Sequence, residues 1–164
     1  MKSYAGIGSR KTPSEILEKM EKLSKKLSEK YILRSGGANG ADSAFEKNAK
    51  YCEIYLPNHK FNDRIHDGVK YFNYQTLPGA VQAQEMTRQF HPKANNLSDF
   101  SFNLHSRNAM QIFGKNMNDP VEFVICWTEN GELKGGTAQA LRIAYHYNIP
   151  VYNLAKPNLL NFMI

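Results

Sequence analysis

Three glycine-bearing segments carry most of the chemistry this chain could perform. Gly6-Ile7-Gly8-Ser9-Arg10 stands near the N-terminus, Ser35-Gly36-Gly37-Ala38-Asn39-Gly40-Ala41-Asp42 follows, and Gly135-Gly136-Thr137 comes late. Each sits where an apolar run gives way to a helical pattern. Glycine at such a junction lets backbone N–H groups approach an anion, and the helix dipole adds partial positive charge. Gly8, Ser9, Arg10, Ser35, Gly36, Gly37, Gly135, Gly136 and Thr137 are therefore candidates to hold a phosphate-bearing ligand. Arg10 adds fixed positive charge beside the first turn.

Asp42 has two readings: it accepts from ribose hydroxyls, or it caps the helix that follows. Glu46, one turn later on the same helical face, is either a pocket carboxylate with a catalytic role or a solvated residue. Arg107 and Asn108 could close a pocket over a base or phosphate, and Thr128 borders the third glycine turn. Thr137 offers a hydroxyl to phosphate or caps its helix, and Trp127 stacks on a base or fills the core.

Other chemistries lack their residues. Lys11 breaks the Gly-x-Gly-x-x-Gly dinucleotide fingerprint, and no Gly-Lys-Ser/Thr ending marks a Walker motif. No Gly-x-Ser-x-Gly elbow or catalytic-cysteine context is present, so ester or peptide hydrolysis has no support. His59, His66, His91, His105 and His146 have no metal-ligand spacing, and Cys52 and Cys126 are isolated. No metal and no cofactor is expected, and the thiols read as buried and reduced.

The elements that must position these residues alternate in type. A strand is expected over 3–7. A helix over 13–29 follows, with Thr12 as N-cap, Pro13 at the first position and Glu15 closing a capping box. A strand over 31–35, a helix over 42–50 and a strand over 52–56 come next. Residues 58–105 are expected to form an insertion or lid with one helix near 80–90. A helix over 104–117, an apolar strand over 121–127, a helix over 137–147 and a strand over 151–154 complete the pattern. Such alternation predicts a parallel α/β sheet of five strands in the order 3-2-1-4-5. Its topological switch lies between the first strand and 121–127, where ligands bind at the carboxyl ends of strands. Gly8-Ser9-Arg10 borders that point on one side, and Thr128 with Gly135-Gly136-Thr137 on the other.

The chain has 164 residues, enough to bury a core, and is read as one domain over 1–164. It has no apolar run long enough to span a bilayer and no signal-peptide pattern, so no membrane partner and a cytoplasmic location are expected. A formal charge of +6 favours anionic partners. Much of the lysine between 11 and 30 is interleaved with glutamate, as on a solvated helix face rather than a nucleic-acid patch.

The runs Tyr4-Ala5-Gly6-Ile7-Gly8-Ser9-Arg10-Lys11-Thr12-Pro13 and Leu33-Arg34-Ser35-Gly36-Gly37-Ala38-Asn39-Gly40-Ala41-Asp42-Ser43-Ala44-Phe45-Glu46 resemble the SLOG superfamily. Ile125-Cys126-Trp127-Thr128, Gly135 to Ala144 and Ile149 to Leu154 match its pattern as well. That superfamily includes the DNA-processing protein A (DprA) and lysine-decarboxylase-like (LOG) families, and the match is best to its small YspA-like members from bacteria and bacteriophages.

The resemblance implies a Rossmann-like three-layer α/β sandwich that binds nucleotides or nucleotide-derived ligands, and self-association into a homo-oligomer. LOG enzymes cleave the N-glycosidic bond of nucleoside monophosphates with a Pro-Gly-Gly-x-Gly-Thr-x-x-Glu motif and an arginine. Here Ala140 stands where that glutamate aligns. The leading expectation is thus a module that senses or sequesters an ADP-ribose-like or cyclic nucleotide. One alternative is a nucleotide N-glycosidase using Glu46 with Arg10 or Arg107. The other is a DprA-like protein binding single-stranded DNA, with Phe61, Tyr71, Phe72 and Tyr74 among Lys60, Arg64 and Lys70 as stacking platforms.

Overall fold

Along the chain, β1 (Lys2–Gly6), α1 (Ser14–Leu27), β2 (Tyr31–Ser35), α2 (Ala41–Lys47) and β3 (Cys52–Leu56) alternate. A short hairpin, β4 (Lys60–Phe61) and β5 (Arg64–Ile65), precedes β6 (Tyr71–Asn73), α3 (Ala80–Phe90) and α4 (Asp99–Phe113). The chain continues through β7 (Val124–Cys126), α5 (Thr137–His146) and β8 (Val151–Asn153). This computed structural model describes residues 1–156.

The main sheet runs β6-β3-β2-β1-β7-β8, with every neighbouring pair parallel. Its β3-β2-β1-β7-β8 portion has the expected order. The sixth strand, β6, lies outside β3 and comes from the segment read as a helical insertion. β1 is buried from Ser3 to Gly6, because strands flank it and helices cover both faces.

Alternation along the central strands divides their side chains between two cores. Tyr4, Ile54 and Leu56 join Ile16, Met20, Leu23 and Phe45 under α1 and α2. Ala5 and Tyr55 join Ala83, Met110, Ile112 and Leu141 under α3, α4 and α5. The result is three layers. Among the described residues, no helix is long and apolar enough to cross a membrane.

Several local expectations change. Thr12 does not cap α1; its hydroxyl donates to the Ser9 carbonyl at 2.6 Å, leaving Pro13 at the N-cap and no capping box. α4 starts at Asp99, where the Ser98 hydroxyl accepts from the Ser101 N–H at 3.1 Å, and not at 104. Gly114, at φ +78°, ends that helix before Met117. β7 is confined to Val124–Cys126, the stretch that pairs with both β1 and β8.

Candidate functional site

The turn after β1 is fastened to the end of β7: the Ser9 N–H donates to the Trp127 carbonyl at 3.1 Å. Gly8 sits in that junction. A Cβ there would lie 2.7 Å from the Ala41 Cβ and 3.0 Å from the Trp127 carbonyl oxygen, so a larger residue would force the two turns apart. Asp42, at the start of α2, is 4% exposed and joins the same two turns. Its carboxylate accepts from the Ala38 N–H at 3.3 Å and from the Gly8 N–H. Burial pushes its pKa up to about 6, against the pull of the nearby Arg107 guanidinium and those N–H groups.

Arg107 and Asn108 come from the middle of α4 and are buried. Arg107 donates to the carbonyls of Gly36 at 2.5 Å and Tyr55 at 2.8 Å, and through Nε to Asn108 Oδ1 at 2.7 Å. Its guanidinium also lies 5.3 Å from the centre of the Phe61 ring. Burial lowers its pKa to about 10, opposed by the Asp42 charge. Asn108 Nδ2 donates to the Gly136 carbonyl at 2.9 Å, tying α4 to the turn that opens α5. There the N–H groups of Gly136 and Thr137 donate to no backbone carbonyl among the described residues.

These groups line one cleft of about 660 Å³ at the carboxyl edge of the sheet. It gathers Gly8, Ser9, Arg10, Asp42, Arg107, Asn108, Gly135, Gly136 and Thr137 from the sequence reading. Arg10, Lys11 and Lys134 are its exposed cations, with Glu129 also exposed and Asp42 buried.

Five expected residues lie outside this lining. Ser35 is fully buried and donates to the Gly6 carbonyl at 2.6 Å, linking β2 to β1. Gly36 is covered by α4, since a Cβ there would meet the Arg107 guanidinium at 2.8 Å. The Gly37 carbonyl accepts from Asn62 Nδ2 at 2.9 Å. Thr128 Oγ1 accepts from Asn153 Nδ2 at 2.7 Å, securing β7 to β8.

Glu46, the catalytic candidate, is the fifth. Its carboxylate accepts from Arg64 Nε at 2.8 Å and the Tyr71 hydroxyl at 2.7 Å, and Lys70 Nζ lies 3.3 Å away. Burial pushes its pKa up, but Tyr71, Arg64 and Lys70 outweigh that and hold it below the ordinary value. Glu46 anchors the β4–β5 hairpin rather than facing the cleft. Trp127 packs against the α1–α2 core and is also outside the lining.

Of the aromatics in the middle segment, Phe61 lines the cleft, whereas Phe72 and Tyr74 are buried in the core. Sequence reasoning missed Phe100, Leu104, His105 and Gln111, all from α4. The spacing 100, 104, 108, 111 is a helical stripe, and Ser98-Asp99 is an N-terminal signal that would have revealed it. The histidine-rich turn has local roles: His66 Nδ1 accepts from the Asn73 N–H, and Asp67 accepts from three successive N–H groups, Val69 to Tyr71. Among the described residues no group of three or more metal-ligating side chains comes together.

Strand order, parallel pairing and a cleft at the carboxyl edge define a Rossmann-like α/β protein. No family model matches this chain, and no curated protein matches its sequence. It is similar to the solved structure of DNA processing protein A from Helicobacter pylori, described for its single-stranded DNA binding mode. The TM-score is 0.58 over 92% of this chain, at 17% identity, and the chain spans 64% of that protein's length. At that identity the likeness is one of fold. It agrees at that level with the SLOG resemblance, whose members include DNA processing protein A.

Proposed function

We propose that the cleft binds a nucleotide-derived ligand and holds it without converting it. The observation that supports this reading is the meeting of Arg10, Asp42 and the Gly135–Thr137 turn on one cleft of about 660 Å³. The phosphate end belongs at the N-terminus of α5, where free N–H groups and the helix dipole favour an anion. Arg10 is an exposed cation of the same cleft, available to the phosphate, and Asp42 is an acceptor for ribose hydroxyls. Ala140, aligned with the catalytic glutamate of the LOG pattern, is fully buried in the core, so this position supplies no carboxylate.

The test is thermal stabilisation by ADP-ribose, cyclic nucleotides and nucleoside monophosphates, with chromatography of each mixture after incubation. Saturable stabilisation, reduced in Arg10→Ala and without free base, supports the reading. Multiple turnovers of base release would replace it with hydrolysis.

A second reading places a nucleotide of single-stranded DNA in the same cleft, favoured by the fold shared with DNA processing protein A. It predicts oligonucleotide binding that weakens steeply with salt, and competition by mononucleotides.

A further inference from the structure

The cleft is chemically uneven. Arg10, Lys11 and Lys134 are charged and exposed, whereas the part lined by Phe61, Phe100 and Leu104 is apolar. The Phe61 and Phe100 ring centres are 6.3 Å apart, with planes inclined by 41°. Phe61 is backed by the Arg107 guanidinium, which fixes that ring on the hairpin side. Phe100 is 47% exposed, an uncovered aromatic in the first turn of α4. His105 belongs to the same wall, its ring centre 4.3 Å from that of His91. Burial, with His91, Arg142 and Arg107 nearby, lowers its pKa to about 4, so it adds no charge near neutral pH.

Distance along α4 orders the two parts. Asn108 holds the Gly136 carbonyl, and Phe100 is eight residues earlier, about 12 Å along the helix axis. A base, ribose and phosphate in line span that separation. Aromatic faces also hold bases of any sequence, because every base offers a π-face.

We propose that Phe61 and Phe100 form a nucleobase subsite, with the phosphate of the same nucleotide at the Gly136 end. The subsite rests on reading the cleft as a nucleotide site, and it makes the base a required part of the ligand. The base comes from a free nucleotide or from a single strand, and the experiment separates these sources.

Titration calorimetry compares the four common ribonucleoside monophosphates, ribose 5-phosphate and a single-stranded oligothymidylate. Phe100 is exposed, so Phe100→Ala tests the ring with little risk to the fold, and Phe100→Tyr restores a π-face. At least one monophosphate is expected to bind tenfold or more tightly than ribose 5-phosphate. Phe100→Ala should weaken that nucleotide about tenfold, Phe100→Tyr should not, and ribose 5-phosphate should bind both variants alike. Binding of the oligonucleotide alone, weakened by Phe100→Ala, supports the subsite and assigns the base to a strand. Ribose 5-phosphate binding as tightly as every nucleotide, or Phe100→Ala leaving nucleotide affinity intact, overturns the subsite while sparing the cleft. Failure of all six compounds to bind, with no stabilisation by ADP-ribose or cyclic nucleotides either, overturns the nucleotide reading itself.

Discussion

Asn108 holds the carbonyl of Gly136 from 2.9 Å, so a side chain buried in the middle of α4 sets the turn that opens α5. The same amide accepts from Arg107 Nε, leaving little freedom to reorient. Asn108→Ala strips a partner from both groups, at a cost of about 1–3 kcal/mol. The melting temperature is expected to fall by several degrees. Hydrogen exchange at Gly136 and Thr137 should accelerate more than in the sheet. Unchanged exchange there would mean that the turn holds its shape without Asn108.

Asp42 and His105 give opposite pH dependences. The Asp42 carboxyl, raised from 3.8 to about 6 in the fold, keeps a proton that the unfolded chain has released. Its contribution to stability is therefore greatest below about pH 4 and declines as pH rises to about 6. His105, lowered from 6.5 to about 4, does the reverse, and its contribution grows with pH across that interval. Asp42→Asn removes the falling component. Relative to the parent, this variant should gain up to about 3 kcal/mol between pH 4 and 6.5. His105→Asn should lose ground over the same range. Thermal melts of the three proteins at stepped pH check both signs.

Two glycines of similar sequence context separate packing from ligand contact. A Cβ on Gly36 would press into the Arg107 guanidinium, while one on Gly136 would meet nothing within 4 Å, at a backbone φ of −65°. Gly36→Ala is thus an overpacking change, worth about 1–3 kcal/mol of destabilisation. Gly136→Ala should melt with the parent. If Gly136→Ala lowers nucleotide affinity at unchanged stability, the loss reports crowding at the phosphate end. Denaturant titration beside calorimetry resolves the two effects.

The alternation of strands and helices was legible because it is local. Apolar runs at 31–35 and 52–56 and the helical spacing of Ile16, Met20 and Leu23 point to the elements that formed. β6 was not legible, since it has three residues with only Phe72 buried and owes its existence to pairing with β3. The glycine turns and Arg107 were readable as one neighbourhood because strand order brings the carboxyl ends together. Ser35, Gly36 and Gly37 looked alike in sequence to a phosphate loop. Only the non-local packing of α4 and of the hairpin shows that they support the cleft without lining it. Phe100 escaped because Phe100-Ser101-Phe102-Asn103 has weak intrinsic helix preference, so the first turn of α4 depends on the Ser98 cap and on packing.

Glu46 offers the sharpest contrast between sequence and fold. It follows Asp42 by one helical turn, yet Arg64, Lys70 and Tyr71 surround its carboxylate, while Asp42 faces the cleft. Arg64 belongs to the hairpin that carries Phe61, so Glu46 positions that ring through an ion pair 9% and 17% exposed at its two ends. Glu46→Gln removes the charge and leaves Arg64 poorly compensated, a loss of about 1–3 kcal/mol. The variant should melt several degrees lower, bind nucleotides a few-fold more weakly, and keep its affinity for ribose 5-phosphate. A base-releasing activity in the parent that vanishes in Glu46→Gln, with melting and nucleotide affinity unchanged, would falsify this assignment. Calorimetry with both ligands, beside chromatography for free base, decides between an anchor for the hairpin and a group that reacts.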